Sequence, residues 1–156
     1  MKLDKTDVNI LHALQRDAHV KASELAETLA ISPSPLYRRI RLMEEGGVIK
    51  HYVTLLDQEK VGLPITAYVS VAIEKSADKL AGFERAILSC EEVMECYLMT
   101  GAFDYMVRVV ANDIAGIERF VMTRLATIDG VRDVSTSITL RRVQYKTELP
   151  VRPSEA

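Results

Sequence analysis

Up to about residue 47 the apolar positions recur at helical spacing. Val8, Ile10, Leu11 and Leu14 follow an acidic start at Asp4 and Asp7 and predict a helix ending near Arg16. Leu25, Ala26 and Leu29 predict a second, short helix from Ala22. A third opens at Ser32, a natural N-cap, with Pro33 and Pro35 in a first turn whose N–H groups lack helical partners anyway. Leu36, Ile40 and Met43 mark its buried side, and Gly46-Gly47 stop it. Two short helices joined by Ala30-Ile31-Ser32 make a helix-turn-helix, and the first helix completes a three-helix core.

Beyond Gly47 the pattern changes. Val48 to Leu56 is rich in β-branched and aromatic residues and predicts a strand serving as wing and hinge. Gln58 to Pro64 breaks the pattern. Ile65 to Glu74 then alternates as a strand, and Ser76 to Ser89 is helical, with Leu80, Phe83, Ile87 and Leu88 for burial. Strands follow over 93–100 and 103–111, then a helix capped by Asn112 or Asp113, then a last strand over 131–145. The order β-α-β-β-α-β is that of ferredoxin-like domains. The chain is therefore expected to be α+β: a winged helix-turn-helix domain over 1–56, a linker over 57–64 and a ferredoxin-like sandwich over 65–156. Helices on one sheet face leave the other to cover, and a second copy is the economical cover, so a homodimer at least is expected.

Composition narrows the function. A net charge of −2 and a pI near 5.9 argue against indiscriminate coating of nucleic acid, so the placement of charge decides. On the third helix Ser34, Tyr37, Arg38 and Arg41 share a face with hydroxyls, an aromatic and cations but no acid. With Ser32, Pro35 and Arg39 they are the candidate contacts to double-stranded DNA, since such groups suit phosphate oxygens and base edges in a major groove. Three arginines on an amphipathic helix also describe an ordinary solvated face; the short helix before them favours DNA. No apolar run or leader pattern points to a membrane, so a cytoplasmic protein is expected. Cys90 and Cys96 read as buried free thiols, and no zinc ligand set is spaced for metal. All three histidines lie at or before His51, and no Gly-rich phosphate loop or Gly-x-Ser-x-Gly is present, so no enzyme or cofactor is expected.

Three motifs occur in order: Leu3-Asp4-Lys5…Asp7…Ile10-Leu11, Ser32-Pro33-Ser34-Pro35…Arg38-Arg39-Ile40…Glu44…Gly47-Val48-Ile49, and Leu98-Met-Thr-Gly-Ala-Phe-Asp-Tyr105. With them the chain resembles the Lrp/AsnC family of feast/famine transcription regulators over nearly its whole length. The resemblance implies an N-terminal DNA-binding domain, a hinge strand, and a C-terminal domain that dimerises, builds tetramers or octamers, and binds a small effector, typically an amino acid. It places the effector around Thr100, Gly101, Ala102, Phe103, Asp104 and Tyr105, with Ser137 and Thr139 on the last strand. A glycine there permits close backbone approach, and Asp104 suits an ammonium group. Asp104 has an alternative role, holding its own turn while Phe103 and Tyr105 pack on the sheet. The sequence departs from the family pattern at Ala102, where relatives often have Asp, and at Ser137, where some carry Tyr. It departs also at Ala30, where Gly is frequent, and at Lys21, where a capping Ser is common. An effector-independent architectural protein that wraps or bends DNA is the alternative reading.

Overall fold

The computed structural model describes residues 2–154. They divide into two compact units, one formed by residues up to 54 together with those from 143 onward, the other by Leu55–Arg142.

The first unit holds α1 (Lys5–Arg16), α2 (Ala22–Thr28) and α3 (Pro33–Glu45). The acidic start of α1 is a full capping box. The Asp7 N–H donates to Asp4 Oδ1 at 2.8 Å, and the Asp4 N–H donates to Asp7 Oδ2 at 3.0 Å. Ile10, Leu11, Leu25, Ala26, Leu36 and Met43 form the core between the helices, and Ile40 packs against it half-buried. Cutting the fully buried Leu36 to Ala would cost about 2–5 kcal/mol. In the turn before α3, Ala30 adopts a left-handed φ of 53°, a conformation costing a residue with a Cβ about 1–2 kcal/mol. Lys21 makes no side-chain cap on α2.

Residues 48–56, expected as a strand, form none. Their composition suits pairing, but no strand lies beside them among the described residues, and Tyr52, Val53, Leu55 and Leu56 stand exposed. The segment 148–154, expected in the second domain, packs instead on α1, and Val151 lies against the helical core.

The second unit holds β1 (Ile65–Ile73), α4 (Ala77–Leu88), β2 (Val93–Leu98), β3 (Tyr105–Ala111), α5 (Ile114–Phe120) and β4 (Val131–Ile138), with α5 running on into a π-helical turn, Val121–Leu125. The β-α-β-β-α-β order is as expected, and the antiparallel sheet has strand order β2-β3-β1-β4. Alternation decides the faces. Ala67, Val69, Val71 and Ile73 of β1 and Tyr105, Val107 and Val109 of β3 meet Phe83 and Ile87 of α4 and Ile117 and Phe120 of α5 in one core. The opposite face carries Tyr68, Ser70, Met106 and Arg108, with Tyr68 at 42% exposure, while the helices α4 and α5 of this unit pack on the other face. The last strand stops at Ile138, short of the expected 145. Cys90 is buried, but Cys96, expected buried, is exposed.

Candidate DNA-binding and effector sites

Local chemistry makes α3 a well-started helix with one free side. Ser32 is the N-cap residue, yet its hydroxyl makes no cap bond. Ser34, Pro35, Tyr37, Arg38 and Arg41 are all exposed, Tyr37 at 61%. Arg38 pairs with no carboxylate among the described residues. Arg41 Nε lies 2.7 Å from Glu45 Oε1 one turn on, which holds its guanidinium pKa above the ordinary value. Such an exposed pair is worth only tenths of a kcal/mol, so it yields readily to a phosphate.

Arg39 is placed differently from its neighbours. Its Nη1 donates to Asp7 Oδ1 at 2.6 Å and to Asp4 Oδ2 at 2.7 Å, and its guanidinium pKa is raised by these two bonds, that to Asp7 first. The Asp7 side chain is 5% exposed. One guanidinium thus joins α3 to the capping box of α1. The signal was in the spacing: Arg39 falls three residues after Leu36 and four before Met43, on the apolar stripe rather than the polar one.

In the second unit Thr100, Gly101, Ala102, Phe103 and Asp104 form the connection between β2 and β3. Gly101 adopts φ +126°, which a side chain at that position would strain. The Met99 N–H donates to the Asp104 carbonyl at 2.8 Å and closes the loop. The Asp104 N–H donates to the Val71 carbonyl at 2.9 Å, and the Ile73 N–H donates to Asp104 Oδ2 at 2.9 Å. The carboxylate therefore pins the end of β1, and its Oδ1 faces Lys75 Nζ at 3.8 Å. Tyr105 is 2% exposed. Its ring packs on Phe83 with centroids 4.6 Å apart, and its hydroxyl donates to Glu84 Oε1 at 2.8 Å. Burial first, then that carboxylate, push the phenol pKa up to about 12. Tyr105 is thus a core residue at the base of the loop.

Ser137 and Thr139 lie elsewhere on the sheet. Tyr105 pairs with Val71, whereas Ser137 pairs with Tyr68 and the Thr139 N–H donates to the Thr66 carbonyl at 2.9 Å. Three and five residues along β1 amount to about 10 and 17 Å. One chain brings residues 100–105 together but does not join Ser137 and Thr139 to them. By the register, Ser137 is on the open face beside Tyr68 and Arg108, whose Nε lies 3.2 Å from Glu95 Oε2. A cavity of about 300 Å³ at the far end of the sheet, walled by Glu92, Val110, Asn112, Arg119, Phe120 and Arg124, includes none of the expected effector residues.

Comparison with known proteins agrees with both halves. The description "Winged helix-turn-helix DNA-binding" matches residues 3–50, and "Lrp/AsnC ligand binding domain" matches residues 66–149. The Bkd operon transcriptional regulator of Pseudomonas aeruginosa is 36% identical over 151 residues, covering 96% of this chain and 99% of that protein. The leucine-responsive regulatory protein of Escherichia coli is 29% identical, covering 96% and 92%. Among solved structures, a Neisseria meningitidis transcriptional regulator in complex with L-Met is 35% identical with a TM-score of 0.91, covering 95% of this chain and 96% of that one.

Proposed function

From the premise that this chain belongs to the Lrp/AsnC family of transcription regulators, we propose that it is an amino-acid-responsive regulator that binds double-stranded DNA as a homodimer or larger assembly. It is a transcription regulator with a helix-turn-helix DNA-binding domain and a ligand-binding domain. The observation that carries the DNA contact is the outward side of α3, with Tyr37 exposed, Arg38 unpaired among the described residues, and acids only in the last turn at Glu44 and Glu45. On this reading Ser32, Ser34, Pro35, Tyr37, Arg38 and Arg41 meet the duplex, while Arg39 acts behind them by fixing α3 to α1. Two copies place two recognition helices in successive major grooves about 34 Å apart, on a roughly palindromic site. No helix among the described residues is long and apolar enough to cross a membrane, and the cytoplasm is where such a regulator works.

For the effector, the loop 100–105 supplies one wall of the pocket, and Ser137 and Thr139 of a second copy supply another. This division supports assembly, as do the open sheet face and the exposed segment 48–56, both of which a second copy covers. The L-Met complex of the Neisseria relative supports an amino acid as the ligand class. One observation favours the architectural alternative: the Asp104 carboxylate is already held by the Ile73 N–H and faces Lys75, leaving less of it for an ammonium group.

A thermal-shift panel of the twenty amino acids at millimolar concentration separates the two. A ligand near 100 times its dissociation constant adds about 2.7 kcal/mol, a shift of several degrees. One responder that also changes DNA affinity supports the effector reading; a flat panel leaves the architectural one standing.

A further inference from the structure

We propose that residues 148–154 are a working part of the DNA-binding unit, docked along α1 so as to set its position and, through it, that of the recognition helix α3. The proposal rests on the DNA-binding role and is independent of any effector.

The docking is built from both polar and apolar parts. The Leu149 N–H donates to Gln15 Oε1 at 2.6 Å, while Gln15 Nε2 donates back to the Leu149 carbonyl at 3.2 Å, so one side-chain amide serves the segment as a neighbouring strand would. The Leu3 N–H donates to Ser154 Oγ, and the Ser154 N–H donates to the Leu3 carbonyl, both at 2.9 Å. His12 Nε2–H donates to the Val151 carbonyl at 3.2 Å, and its Nδ1 lies 3.3 Å from Glu148 Oε1. Arg16 Nη2 lies 3.2 Å from the same oxygen, and this bond holds the Glu148 carboxyl below its ordinary value. Val151 adds an apolar contact to the helical core.

These hydrogen bonds and ion pairs fall on α1 and on Leu3 just before it. The segment therefore acts on DNA recognition through α1, which holds α3 by the Arg39 bonds to Asp4 and Asp7 and by the packing of Ile10 and Leu11. Base readout tolerates little displacement, since a hydrogen bond weakens steeply once stretched or bent. Gln15, Glu148 and Val151 are positioning residues on this account.

The test uses the full chain and a duplex that the wild-type protein selects from a random-sequence pool. Val151→Asp and Gln15→Ala are compared with wild type in two measurements, amide exchange at Leu149 and Ser154, and DNA affinity against salt. The expected result is protected Leu149 and Ser154 amides in the wild type and lost protection in Val151→Asp. Its binding weakens roughly tenfold, while the slope of affinity against salt is unchanged because no phosphate contact has gone. Gln15→Ala, which leaves the core packing untouched, shows the same pattern more weakly. Unprotected Leu149 and Ser154 amides in the wild type overturn the proposal, and so does lost protection with unchanged DNA affinity. A reduced salt slope overturns it too, by showing that the segment itself touches DNA. Failure of the wild type to select any duplex overturns the DNA-binding role, and the proposal with it.

Discussion

Arg39→Ala separates a residue that touches DNA from one that holds the reader in place. The substitution removes the only charged partner that Asp7 has among the described residues and leaves the carboxylate, 5% exposed, with the Asp4 N–H as its remaining hydrogen-bond donor among them. Breaking a fully buried pair in this way costs about 3–5 kcal/mol. Arg39 itself is 27% exposed, so water re-enters and the figure falls to about 2–3 kcal/mol. In a unit of this size each kcal/mol moves the midpoint by about 4–8 °C, so thermal melts followed by circular dichroism would show a drop of roughly 10 °C or more. DNA affinity, measured where the variant is still folded, should fall for selected and random duplexes while its salt slope stays that of the wild type. The double variant Asp7→Asn, Arg39→Ala, which leaves no unpaired charge at the buried Asp7 position, should recover part of the stability. An unchanged melt with a salt slope smaller by about one would refute this reasoning and return Arg39 to the phosphates.

Three further outcomes follow from the same structure. Arg38→Ala should weaken specific binding by about 1–3 kcal/mol if the guanidinium grips a base edge; equal weakening on every duplex in a competition assay would assign it to phosphate instead. Ala30→Gly relieves a left-handed φ at the helix-turn-helix turn and should stabilise the unit by roughly 0.5–1 kcal/mol after the unfolded-state entropy of glycine is counted, read as a higher melting midpoint. Acid should loosen the same unit. Asp4 lies below its ordinary 3.8 through bonds from the Asp7 N–H and Arg39, and Glu148 below 4.5 through Arg16. A carboxyl depressed on folding contributes stability that is complete above its ordinary value and lost as pH falls through the lowered one. Melts between pH 7 and pH 3 should therefore fall off below about 4.5, and Glu148→Gln should flatten part of that slope.

Much of this was legible wherever the determinant is local. The capping box of α1 follows from Asp4 and Asp7 three residues apart, the start of α3 from Ser32, Pro33 and Pro35, and a central strand of the sheet from the alternation in β1. Ala30 could be picked out as strained because a helix-turn-helix turn often asks for glycine. What stayed hidden depends on partners distant in sequence. Val48 to Leu56 has strand composition, but a strand needs a neighbour, and none lies beside it among the described residues. Residues 148–154 carry no periodic signal, because their bonds are to Gln15, His12 and Leu3. Asp7 and Arg39 are the instructive pair. Each sits on the apolar stripe of its own helix, and two opposite charges so placed are a sign that they meet, because neither is tolerated there alone. For the effector site the sequence indicated which residues belong together by family likeness, and the register shows Ser137 and Thr139 about 10 and 17 Å along the sheet from the loop row.

The division of the first unit between the two ends of the sequence has a consequence for how the protein is made. Residues 1–54 leave the ribosome early, but their partner segment follows only after residues 55–142 have been added. At about 5–20 residues per second that interval lasts roughly 4–18 s. During it the three helices exist without the strap on α1, so a nascent or prematurely ended chain carries a reader of DNA that is not yet locked. The DNA-binding unit can therefore close only after the second unit has been made, because a chain translated no further than residue 142 lacks the segment that docks on α1.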